Sequence, residues 1–435
     1  METYNLVSFF GIFVLAGFAW LCSSSRKSIN WRVVFWGIGL QLFFAIFIFV
    51  VPVGAKFFLF VNKIVLIVLD SATAGTKFLF GRLALPPGTT NEFGETSLGY
   101  ILAFQALPTI IFFAALIGAL YYLRIMPLFI RGFAYVFTKL MKISGAESLC
   151  ASSNIFVGVE SALVIRPHLR EMTKSELTTI LSAGMGTIAS TVLALYVFFL
   201  QSELPTIAGH LVSASFLSAP AAVVMAKLIM PETEQPKTLG VDVKPHYERE
   251  DNLIMAIING ANSGLRYLGG IVALLLAFLG ILALLNIIFG WLGGNINNWF
   301  GLNIEWSFEA ILGYIFYPFT LVLGIPPSDA FEISKIIGER TVATELVSYQ
   351  HLSQLMAEGS LLHPRSAIIA SYALCGFAHI ASLAIFVGGL GALAPERLKD
   401  ISRVGFRALL AATLACLMTG AVAGTFFSKA SILLG

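Results

Sequence analysis

The chain has 435 residues, of which 57% are hydrophobic and only 12% are charged. Soluble domains carry about 25% charged residues, so this composition excludes an ordinary soluble protein and indicates one that lies largely in lipid. The formal net charge is +3 and the basic residues are scattered, so no nucleic-acid partner is predicted. The four cysteines have no CxxC spacing and predict neither a disulfide framework nor a zinc site.

Seven apolar runs are long enough to cross the hydrocarbon layer, which takes about 20 helical residues. They are residues 6–21, 31–53, 100–123, 177–200, 206–230, 254–291 and 404–434. The first run lacks a preceding basic region and a small-residue cleavage site, so it is predicted to be a retained span and not a signal peptide. Residues 57–69 are apolar but few and include Lys63, which favours an interfacial or peripheral helix. The pattern predicts an all-α polytopic membrane protein with about eight transmembrane helices.

Charges between the runs predict the orientation. Segments 23–32 and 124–142 contain basic residues and no acid, whereas segment 82–99 contains Arg82, Glu92 and Glu95. By the positive-inside rule the first two segments are cytoplasmic and the third is external. Residues 231–251 form the long hydrophilic stretch of the chain and are predicted to be a surface loop between two spans.

Two apolar but interrupted stretches, residues 145–199 and 328–389, resemble each other. Each places one acid, Glu160 or Glu345, in a hairpin-sized segment ahead of a longer apolar run. Within those runs the residues Gly184, Ile188, Ala189 and Ser190 align without a gap with Gly376, Ile380, Ala381 and Ser382. We interpret this as an internal repeat of a hairpin followed by a broken helix, an arrangement that surrounds the substrate in many transporters.

Glu160 and Glu345 are the candidate chemical groups of these hairpins. A charge at the bilayer centre costs on the order of 3 kcal/mol, so it requires partners or a wet cavity. Either carboxylate could accept hydrogen bonds from sugar hydroxyls or a base edge, or offset a bound cation. The alternative is that each caps a half-helix.

Four further residues have two readings each. Ser153 and Thr187 could give oxygen ligands to sodium, although such hydroxyls commonly bond to carbonyls of their own helix. His379 could face a cavity, where it would bond a substrate or carry a proton, or it could make an interhelical hydrogen bond. Phe377 could stack on a flat ring or belong to the core.

Four segments resemble the concentrative nucleoside transporter family: RPHLREMTKSEL, IIGERTVATELVSY, SYALCGFAHIAS and above all GGLGALAPER, residues 388–397. The resemblance covers nearly the whole chain. It implies a homotrimer whose protomers each contain a scaffold and a transport domain with two inverted repeats of re-entrant hairpin plus broken helix. The implied division is residues 1–142 for N-terminal scaffold spans and the interfacial helix, 143–230 for the first repeat, 231–325 for the loop and a long scaffold span, and 326–435 for the second repeat.

The resemblance also implies residue roles. Glu345 is expected to bond ribose hydroxyls, with Phe377 and Ser382 beside it, and Val192 falls on a base-lining position. The implied substrate site is Gly158, Val159, Glu160, Val192, Glu345, Phe377, His379 and Ser382. The implied Na⁺ site is Ser153, Phe156, Thr187 and Ile188.

Three departures from the family pattern alter these expectations. The family's G-Q-T-E hairpin motif is Val157, Gly158, Val159 and Glu160 here, so the glutamine and hydroxyl that read the base are replaced. His379 replaces an asparagine, and Ser153 replaces an asparagine that often ligates sodium. A site that loses hydrogen-bond partners loses discrimination. We therefore expect altered or broader base selectivity with ribose recognition kept, and either Na⁺ or H⁺ as the coupling ion.

The predicted function is cation-coupled uptake of nucleosides across a bacterial cytoplasmic (inner) membrane by elevator-like alternating access. Nucleoside and membrane lipid are the expected partners, and no organic cofactor is expected. No Walker lysine motif and no His/Glu metal spacing is present, so no enzymatic activity is predicted. The alternatives are a symporter of another small polar solute, such as a nucleobase or nucleoside analogue, and a membrane enzyme or gated pore that uses Glu160, Glu345 and His379.

Overall fold

The computed structural model describes residues 3–91, 94–247 and 250–428, without the side chain of Val159. These residues form seventeen α-helices and no strand, which confirms the predicted all-α class. The helices are α1 (Thr3–Leu21), α2 (Trp31–Ala45), α3 (Pro52–Phe80), α4 (Leu102–Gln105), α5 (Thr109–Tyr122), α6 (Ile125–Met141), α7 (Gly145–Ser153), α8 (Lys174–Gly186), α9 (Ser190–Leu200), α10 (Ile207–Ile229), α11 (Leu253–Phe300), α12 (Phe308–Val322), α13 (Pro327–Ala343), α14 (Glu345–Ala357), α15 (Pro364–Ala373), α16 (Ile380–Leu393) and α17 (Leu398–Thr425). A π-helical turn, Ile46–Val50, extends α2, and a 3₁₀ segment, Val159–Glu171, precedes α8.

Within the described ranges, eight helical stretches are long and apolar enough to cross a membrane, as the sequence predicted. They are Thr3–Leu21, Trp31–Val50, Pro52–Ala84, Leu102–Tyr122, Lys174–Leu200, Ile207–Ile229, Leu253–Phe300 and Pro395–Thr425. The predicted run 404–434 corresponds to α17, and its positions 429–434 lie outside the described residues. The segment 124–142, expected only as a basic loop, forms the amphipathic helix α6.

Helix α3 is longer than the sequence analysis indicated. It has 29 residues, so the apolar run 57–69 is only its middle part. Its charged residues Lys56, Lys63, Asp70 and Lys77 recur every seven positions and are all exposed. That spacing puts them on one face of a helix. The length admits a span, while the charged face suits a helix at the membrane surface, so the interfacial placement stays a prediction.

The inner and outer helices differ in burial. In their most apolar 18-residue stretches, 89% of the residues of α10 and of α17 are buried, against 11% for α11. Helix α11 has 48 residues and carries exposed Trp291 and Leu276 on its surface. We conclude that α8, α10 and α17 form the packed interior, around which the longer apolar helices present their side chains to lipid.

Residues 145–171 form the first hairpin, in which α7 turns through residues 154–158 into the 3₁₀ segment. Ser144 and Glu147 form a capping box at the start of α7, and Thr173 and Glu176 form another at the start of α8. Each box satisfies two backbone amides at a helix start and so fixes where that helix begins. The first broken helix is α8 and α9, interrupted at residues 187–189.

Residues 327–357 form the second hairpin. Helix α13 begins with Pro327 at its first turn, where the missing amide hydrogen is harmless. The tip is Thr344, whose φ of 92° and ψ of 158° lie in a region that is essentially reserved for glycine. The second broken helix is α15 and α16, interrupted at residues 374–379. The structure therefore contains the two hairpins and two broken helices that the repeat predicts.

The roots of the two hairpins lie at opposite ends of α1. At the end where α1 stops, Ser24 N donates to Ile229 O at 2.9 Å, and Ser175 Oγ donates to Met230 O at 2.7 Å. There the buried Lys227 ammonium pairs with Glu147 at the root of the first hairpin. By the positive-inside rule, basic Arg26 and Arg32 predict that this is the cytoplasmic end.

The second root lies where α1 begins. Arg365 donates to Tyr4 O at 2.9 Å, to Gly424 O at 2.8 Å and to Gly324 O at 2.8 Å. The buried Asp329 carboxylate accepts from Ser366 Oγ at 2.6 Å and from the backbone N–H of His363 at 3.1 Å. The two hairpins therefore enter the bundle from opposite sides.

The two helix breaks meet in the interior. A Cβ atom on Gly376 would lie 2.9 Å from the carbonyl carbon of Gly186 and 2.7 Å from Cys416 Sγ. The sequence alignment of the two breaks is offset from their geometry: Ser190 is the first residue of α9, whereas Ser382 is the third residue of α16. The two copies of the repeat therefore share the arrangement of a hairpin and a broken helix, but their two breaks differ in length.

Residues 231–247 of the hydrophilic segment 231–251 run along the first hairpin as a loop. Gly145 N donates to Thr238 O at 2.8 Å, and His246 N donates to Val164 O at 2.9 Å. Gly145 has no room for a side chain, since a Cβ there would lie 1.9 Å from Val241 O. The predicted surface loop is thus also a strap across the root of the first hairpin.

Candidate functional site

Helix α9 contacts both hairpin tips. At its start, Ser190 Oγ donates to the backbone carbonyl of Phe156 in the first tip. Two turns later, Tyr196 Oη donates to Glu345 Oε1 at 2.9 Å in the second tip. Because α9 follows the first break, this one helix contacts the tips of both hairpins and sets their position relative to each other.

Glu345 is the first residue of α14 and is only 2% exposed. Its other oxygen, Oε2, lies 2.9 Å from Nε2 of His379, which is 4% exposed. The N-terminal position on α14 also favours a negative charge. The structure thus joins two of the residues that the sequence singled out into one buried contact.

His379 is also the N-cap of α16. Its ring nitrogen Nδ1 accepts a hydrogen bond from the backbone N–H of Ser382 at 3.1 Å, and the backbone N–H of His379 donates to Ser382 Oγ at 3.3 Å. The Ser382 hydroxyl additionally contacts the carbonyls of Phe377 and His379. Ser382 therefore belongs to a capping box that fixes the His379 ring next to Glu345.

Aromatic and ionisable side chains enclose this contact. The Tyr196 ring stacks on Tyr349 with 4.4 Å between centroids, and Tyr349 Oη donates to Ser371 O at 2.7 Å. The fully buried Arg340 donates to Ala373 O at 2.5 Å, at the C-terminal end of α15 where a cation is favoured. Arg340 Nε and Nη2 and Glu345 Oε2 make no hydrogen bond to any described residue, so the Glu345 carboxylate sits among polar groups that are only partly satisfied.

The predicted pocket-lining residue Phe377 is half-buried. Its ring lies edge-on to His379, with 6.4 Å between centroids. Next to Glu345, the Thr344 hydroxyl is buried and makes no hydrogen bond to any described residue. Thr344 combines this unsatisfied group with its unfavourable backbone conformation, at the tip where a ligand would approach.

A cavity of about 680 Å³ opens beside the first hairpin tip. It is bounded by α5, by the start of α6, by the strap and by α11, and its lining includes Arg124, Arg131, Phe156, Val157, Gly158, Glu160, Arg166, Thr191, Lys244, Tyr247, Asn259, Ser263 and Tyr267. The residues around the second tip, Glu345, Phe377, His379 and Ser382, are not part of this lining. The cavity therefore reaches the first tip from the side that carries the basic segments, while the second tip is covered.

Glu160 faces the cavity, where it lies close to Tyr267 of α11. Gly158 lies close to the first break, since a Cβ there would come within 3.0 Å of Ala189 Cβ. At the mouth of the cavity, burial raises the pKa of Tyr247 in the strap to about 12. Tyr247 is therefore a neutral phenol at any physiological pH.

The predicted base-lining residues are only partly at this cavity. Val192 is buried within α9, and its neighbour Thr191 is the residue that lines the space. The backbone of Val159 belongs to the 3₁₀ segment, and its side chain lies outside the described part of the chain. Gly158 and Glu160 therefore remain as the predicted first-tip residues that the cavity reaches.

The residues predicted to hold sodium lie at the first tip and the first break. Ser153 is fully buried at the end of α7, and Ile188 is buried in the break. Thr187 Oγ1 donates to Ala183 O at 2.8 Å, the helix bond that the sequence analysis gave as the alternative. A hydroxyl that donates one hydrogen bond retains lone pairs for a cation. The bond from Ser190 to Phe156 O connects the tip to the broken helix at this place.

Two contacts of the site were not predicted from the sequence. Tyr196 contacts Glu345 across 149 positions, and it lies in an apolar run that carries no periodic signal. Tyr267 lies in the long helix α11, far from either hairpin in sequence. A tyrosine within a membrane span is a signal in itself, because its hydroxyl needs a partner there.

Comparison with known proteins identifies the relatives of this arrangement. Three family models match in chain order: the Na⁺ dependent nucleoside transporter N-terminus at residues 10–83, the Gate domain for nucleoside recognition at 103–203, and the Na⁺ dependent nucleoside transporter C-terminus at 210–424. Together they cover most of the chain and include both hairpins.

The chain is 39% identical to mouse solute carrier family 28 member 3 over 434 residues, which are 97% of this chain but 58% of the mouse protein. It is also 39% identical to the uncharacterized transporter YutK of Bacillus subtilis, with 96% of this chain and 98% of YutK covered.

The structure of CNTnw in an inward-facing substrate-bound state superposes with a TM-score of 0.85 at 35% identity, covering 97% of this chain and 98% of that one. These relatives are transporters and not enzymes, as the sequence predicted for this chain. The eight apolar stretches agree with a multi-pass membrane protein. The chain belongs to the concentrative nucleoside transporter family.

Proposed function

We propose that the chain takes up nucleosides across the membrane in symport with a cation. The observation that carries the proposal is the Glu345 carboxylate, buried at a hairpin tip with one oxygen on Tyr196 and the other beside His379. A carboxylate accepts through two oxygens and so matches the paired 2′- and 3′-hydroxyls of ribose. A hydrogen bond to a charged group contributes about 1.5–3 kcal/mol, which is enough to make Glu345 decisive for binding.

Ribose recognition requires the second tip to open. In the present conformation Glu345 is covered, and the cavity reaches the first tip. We infer an inward-facing conformation, because the cavity is bounded by Arg124, Arg131 and Lys244 on the side that the positive-inside rule makes cytoplasmic. CNTnw has been captured in both inward- and outward-facing states, which supports alternating access for this chain.

Base recognition would take place at the first tip. Gly158 and Val159 offer no side-chain hydrogen bond there, so recognition of a base would fall to other polar side chains that line the cavity, among them Glu160, Thr191 and Tyr267. A site with fewer donors and acceptors discriminates less between bases. We infer broader or altered base selectivity than in relatives with the glutamine.

We assign the coupling cation to Na⁺ in the first instance, with H⁺ as the alternative. The family models describe Na⁺ dependent nucleoside transporters. Ser153, Phe156, Thr187 and Ile188 would provide hydroxyl and carbonyl oxygens, the ligands that hard cations prefer. Serine is shorter than the family asparagine, so we expect weaker Na⁺ binding than in relatives with that side chain.

The finer architecture is also part of the proposal. The two hairpins with their broken helices, residues 143–230 and 326–435, would form the transport domain, and residues 1–142 and 231–325 the scaffold. The opposite entry of the hairpins and the contact between the breaks support a transport domain that moves as one body. We propose a homotrimer in a bacterial cytoplasmic membrane, with lipid against the exposed face of α11.

The first tip also supports a second candidate, symport of another small polar solute such as a nucleobase or nucleoside analogue. Its support is the loss of hydrogen-bonding side chains at Gly158 and Val159. Such a solute without ribose would not depend on Glu345. The same variants therefore separate the two candidates.

The test is uptake of radiolabelled uridine and adenosine into proteoliposomes under a sodium gradient, a proton gradient or neither. We expect accumulation under one gradient in the wild type and its loss in Glu345→Gln. Accumulation that persists in Glu345→Gln, or the absence of uptake of either nucleoside by folded protein, would overturn the proposal. Uracil uptake that is insensitive to Glu345→Gln would establish the second candidate.

A further inference from the structure

We propose that the cavity beside the first hairpin tip is also a binding site for nucleoside monophosphates, which enter it from the cytoplasmic side, exclude nucleoside and are not themselves transported. The inference rests on the proposed function, because it takes the base of the ligand to lie at the first tip. It adds a second class of ligand, an anionic one, and gives the cavity an inhibitory role.

Four cationic side chains line the cavity, and they come from three different segments. Arg124 precedes α6 and Arg131 lies within it, Arg166 belongs to the 3₁₀ segment of the first hairpin, and Lys244 belongs to the strap. A nucleoside is neutral at physiological pH, so its binding does not require this concentration of positive charge. A phosphate group does match it, because arginine and lysine are the side chains that bind phosphate oxygens.

The carboxylates of the lining do not neutralise these cations. The lining contains two of them, Glu160 and Glu250. Glu250 accepts a hydrogen bond from Asn259 Nδ2 at 2.9 Å, and Glu160 lies close to Tyr267. Within the part of the chain that the structure describes, three of the four cationic side chains form no ion pair: Arg124, Arg131 and Lys244. An excess of positive charge therefore faces the cavity.

The hydroxyl of Tyr247 is a second, independent sign of a ligand. It is buried in the lining of the cavity and has no hydrogen-bond partner among the described residues. The Tyr247 ring packs against Tyr121, with 5.7 Å between centroids, and the charge of Arg131 acts on its hydroxyl. Buried polar groups are rarely left without a partner. A phosphate oxygen held by Arg131 would accept the hydrogen bond that Tyr247 lacks.

The cavity also has room and a polar face for the uncharged part of the ligand. Its volume of about 680 Å³ falls in the range of about 300–1,000 Å³ that encloses small molecules. Asn259, Ser263 and Tyr267 follow one another at intervals of four on α11, so they share one face of that helix, and all three line the cavity. One continuous space thus offers amide and hydroxyl groups for base and sugar, and cations for phosphate.

The positions of the cations explain why such a ligand would bind without being transported. Arg124, Arg131 and Lys244 lie in residues 1–142 and 231–325, which we assign to the scaffold. A transport domain that moved with a bound nucleotide would separate the phosphate from these cations and carry an unpaired charge into the membrane, which is costly. The nucleotide would therefore hold the inward-facing conformation. Phosphoryl transfer to the 5′-hydroxyl of an imported nucleoside produces this ligand, so its binding would limit further uptake.

The test is calorimetric titration of the purified protein in detergent with uridine 5′-monophosphate (UMP) and with uridine. We expect UMP to bind, to exclude uridine, and to lose affinity several-fold between about 50 mM and about 500 mM salt, because salt screens exposed charges. For variants the readout is the ratio of UMP affinity to uridine affinity. Arg131→Gln and Lys244→Gln are each expected to lower it by about threefold to fivefold, as for an exposed ion pair.

The matched control is Lys139→Gln, since Lys139 is a cation of the same helix α6 that lies over the Tyr135 ring and does not line the cavity. It is expected to keep the wild-type ratio. In proteoliposomes, radiolabelled UMP is expected not to accumulate under any gradient that accumulates uridine.

The proposal is overturned if UMP does not bind, if inorganic phosphate alone binds as tightly as UMP, or if UMP accumulates. It is also overturned if Arg131→Gln and Lys244→Gln keep the wild-type ratio, or if Lys139→Gln lowers it equally. Loss of UMP binding when phosphatidylglycerol is added would assign the cations to lipid headgroups instead. Failure of the proposed function is a different result, the absence of uridine binding and uptake, which leaves the UMP affinity and its dependence on Arg131 measurable.

Discussion

Gly186 and Gly376 hold the two broken helices in backbone contact, with Cys416 of α17 beside them. Cys416 Sγ lies 3.7 Å from Gly186 O and 3.5 Å from Cys375 O. No side chain fits between the two breaks at this point, as the 2.7 Å approach of a Cβ on Gly376 to the sulfur shows. This glycine-lined contact is therefore one of the points that position the two halves of the site.

We expect Gly376→Ala to destabilise the protein by about 1–3 kcal/mol through overpacking, and to reduce uptake because the breaks separate. The measurement is the apparent melting temperature in detergent together with uridine uptake. Gly388→Ala, in α16 with open space around its Cβ, is the control and should be neutral or slightly stabilising. Equal behaviour of the two variants would contradict the contact as a constraint.

Tyr196→Phe should weaken nucleoside binding without disturbing the stack on Tyr349. The change removes one donor from the buried Glu345 carboxylate, a bond of about 1.5–3 kcal/mol, so we expect KM to rise by at least about tenfold. The comparison is Tyr349→Phe, which loses its bond to Ser371 O and leaves Glu345 untouched. A KM that changes equally in both variants would remove Tyr196 from the site.

Lys227→Met should leave the buried Glu147 carboxylate without its cation. The Lys227 and Glu147 side chains are 6% and 1% exposed, and Lys227 also donates to Ser175 Oγ at 2.9 Å. Removing one partner of such a pair costs about 3–5 kcal/mol, which should lower the apparent melting temperature strongly. The double variant with Glu147→Gln should recover part of the loss, and a double variant less stable than Lys227→Met would argue against the pairing.

Thr344→Gly should be more stable than Thr344→Ala. The φ of 92° at this tip strains any residue with a Cβ, by about 1–3 kcal/mol, and only glycine is relieved of it. The two variants are compared by melting temperature in detergent, so that loss of the threonine side chain is common to both. If alanine proved as stable as glycine, the tip would not be strained in solution.

The sequence predicted the parts of the site that leave a local signal. Glu160 and Glu345 are visible in the sequence as acids within the two interrupted apolar segments, and both lie at hairpin tips in the structure. The partner Tyr196 was not predictable in this way, because its contact with Glu345 is set by how α9 packs and not by nearby sequence. The contact between His379 and Glu345 likewise depends on how two chain segments pack against each other.

The predicted helix boundaries differ from the structure where charged residues interrupt apolar ones. The length of α3 was underestimated because Lys56, Lys63, Asp70 and Lys77 interrupt the apolar residues, although their spacing of seven marks a single helix face. The coupling ion and the trimer stay predictions for a related reason. Both depend on partners outside the single chain, namely an ion and further subunits. Neither the hydropathy of the chain nor the packing of its helices identifies such partners.

The roots and tips of the two hairpins are held by different forces. The roots contain buried charges, Lys227 with Glu147 at one end and Asp329 and Arg365 at the other. At the tips, Tyr196 and Ser190 donate hydrogen bonds, and the His379 ring lies 2.9 Å from the Glu345 carboxylate. Each hairpin is thus fixed at its base by buried charged groups. An inhibitor that wedges under the first tip has the Ser190 hydrogen bond to break, whereas one directed at the second tip or at either base must separate buried charged groups from their partners.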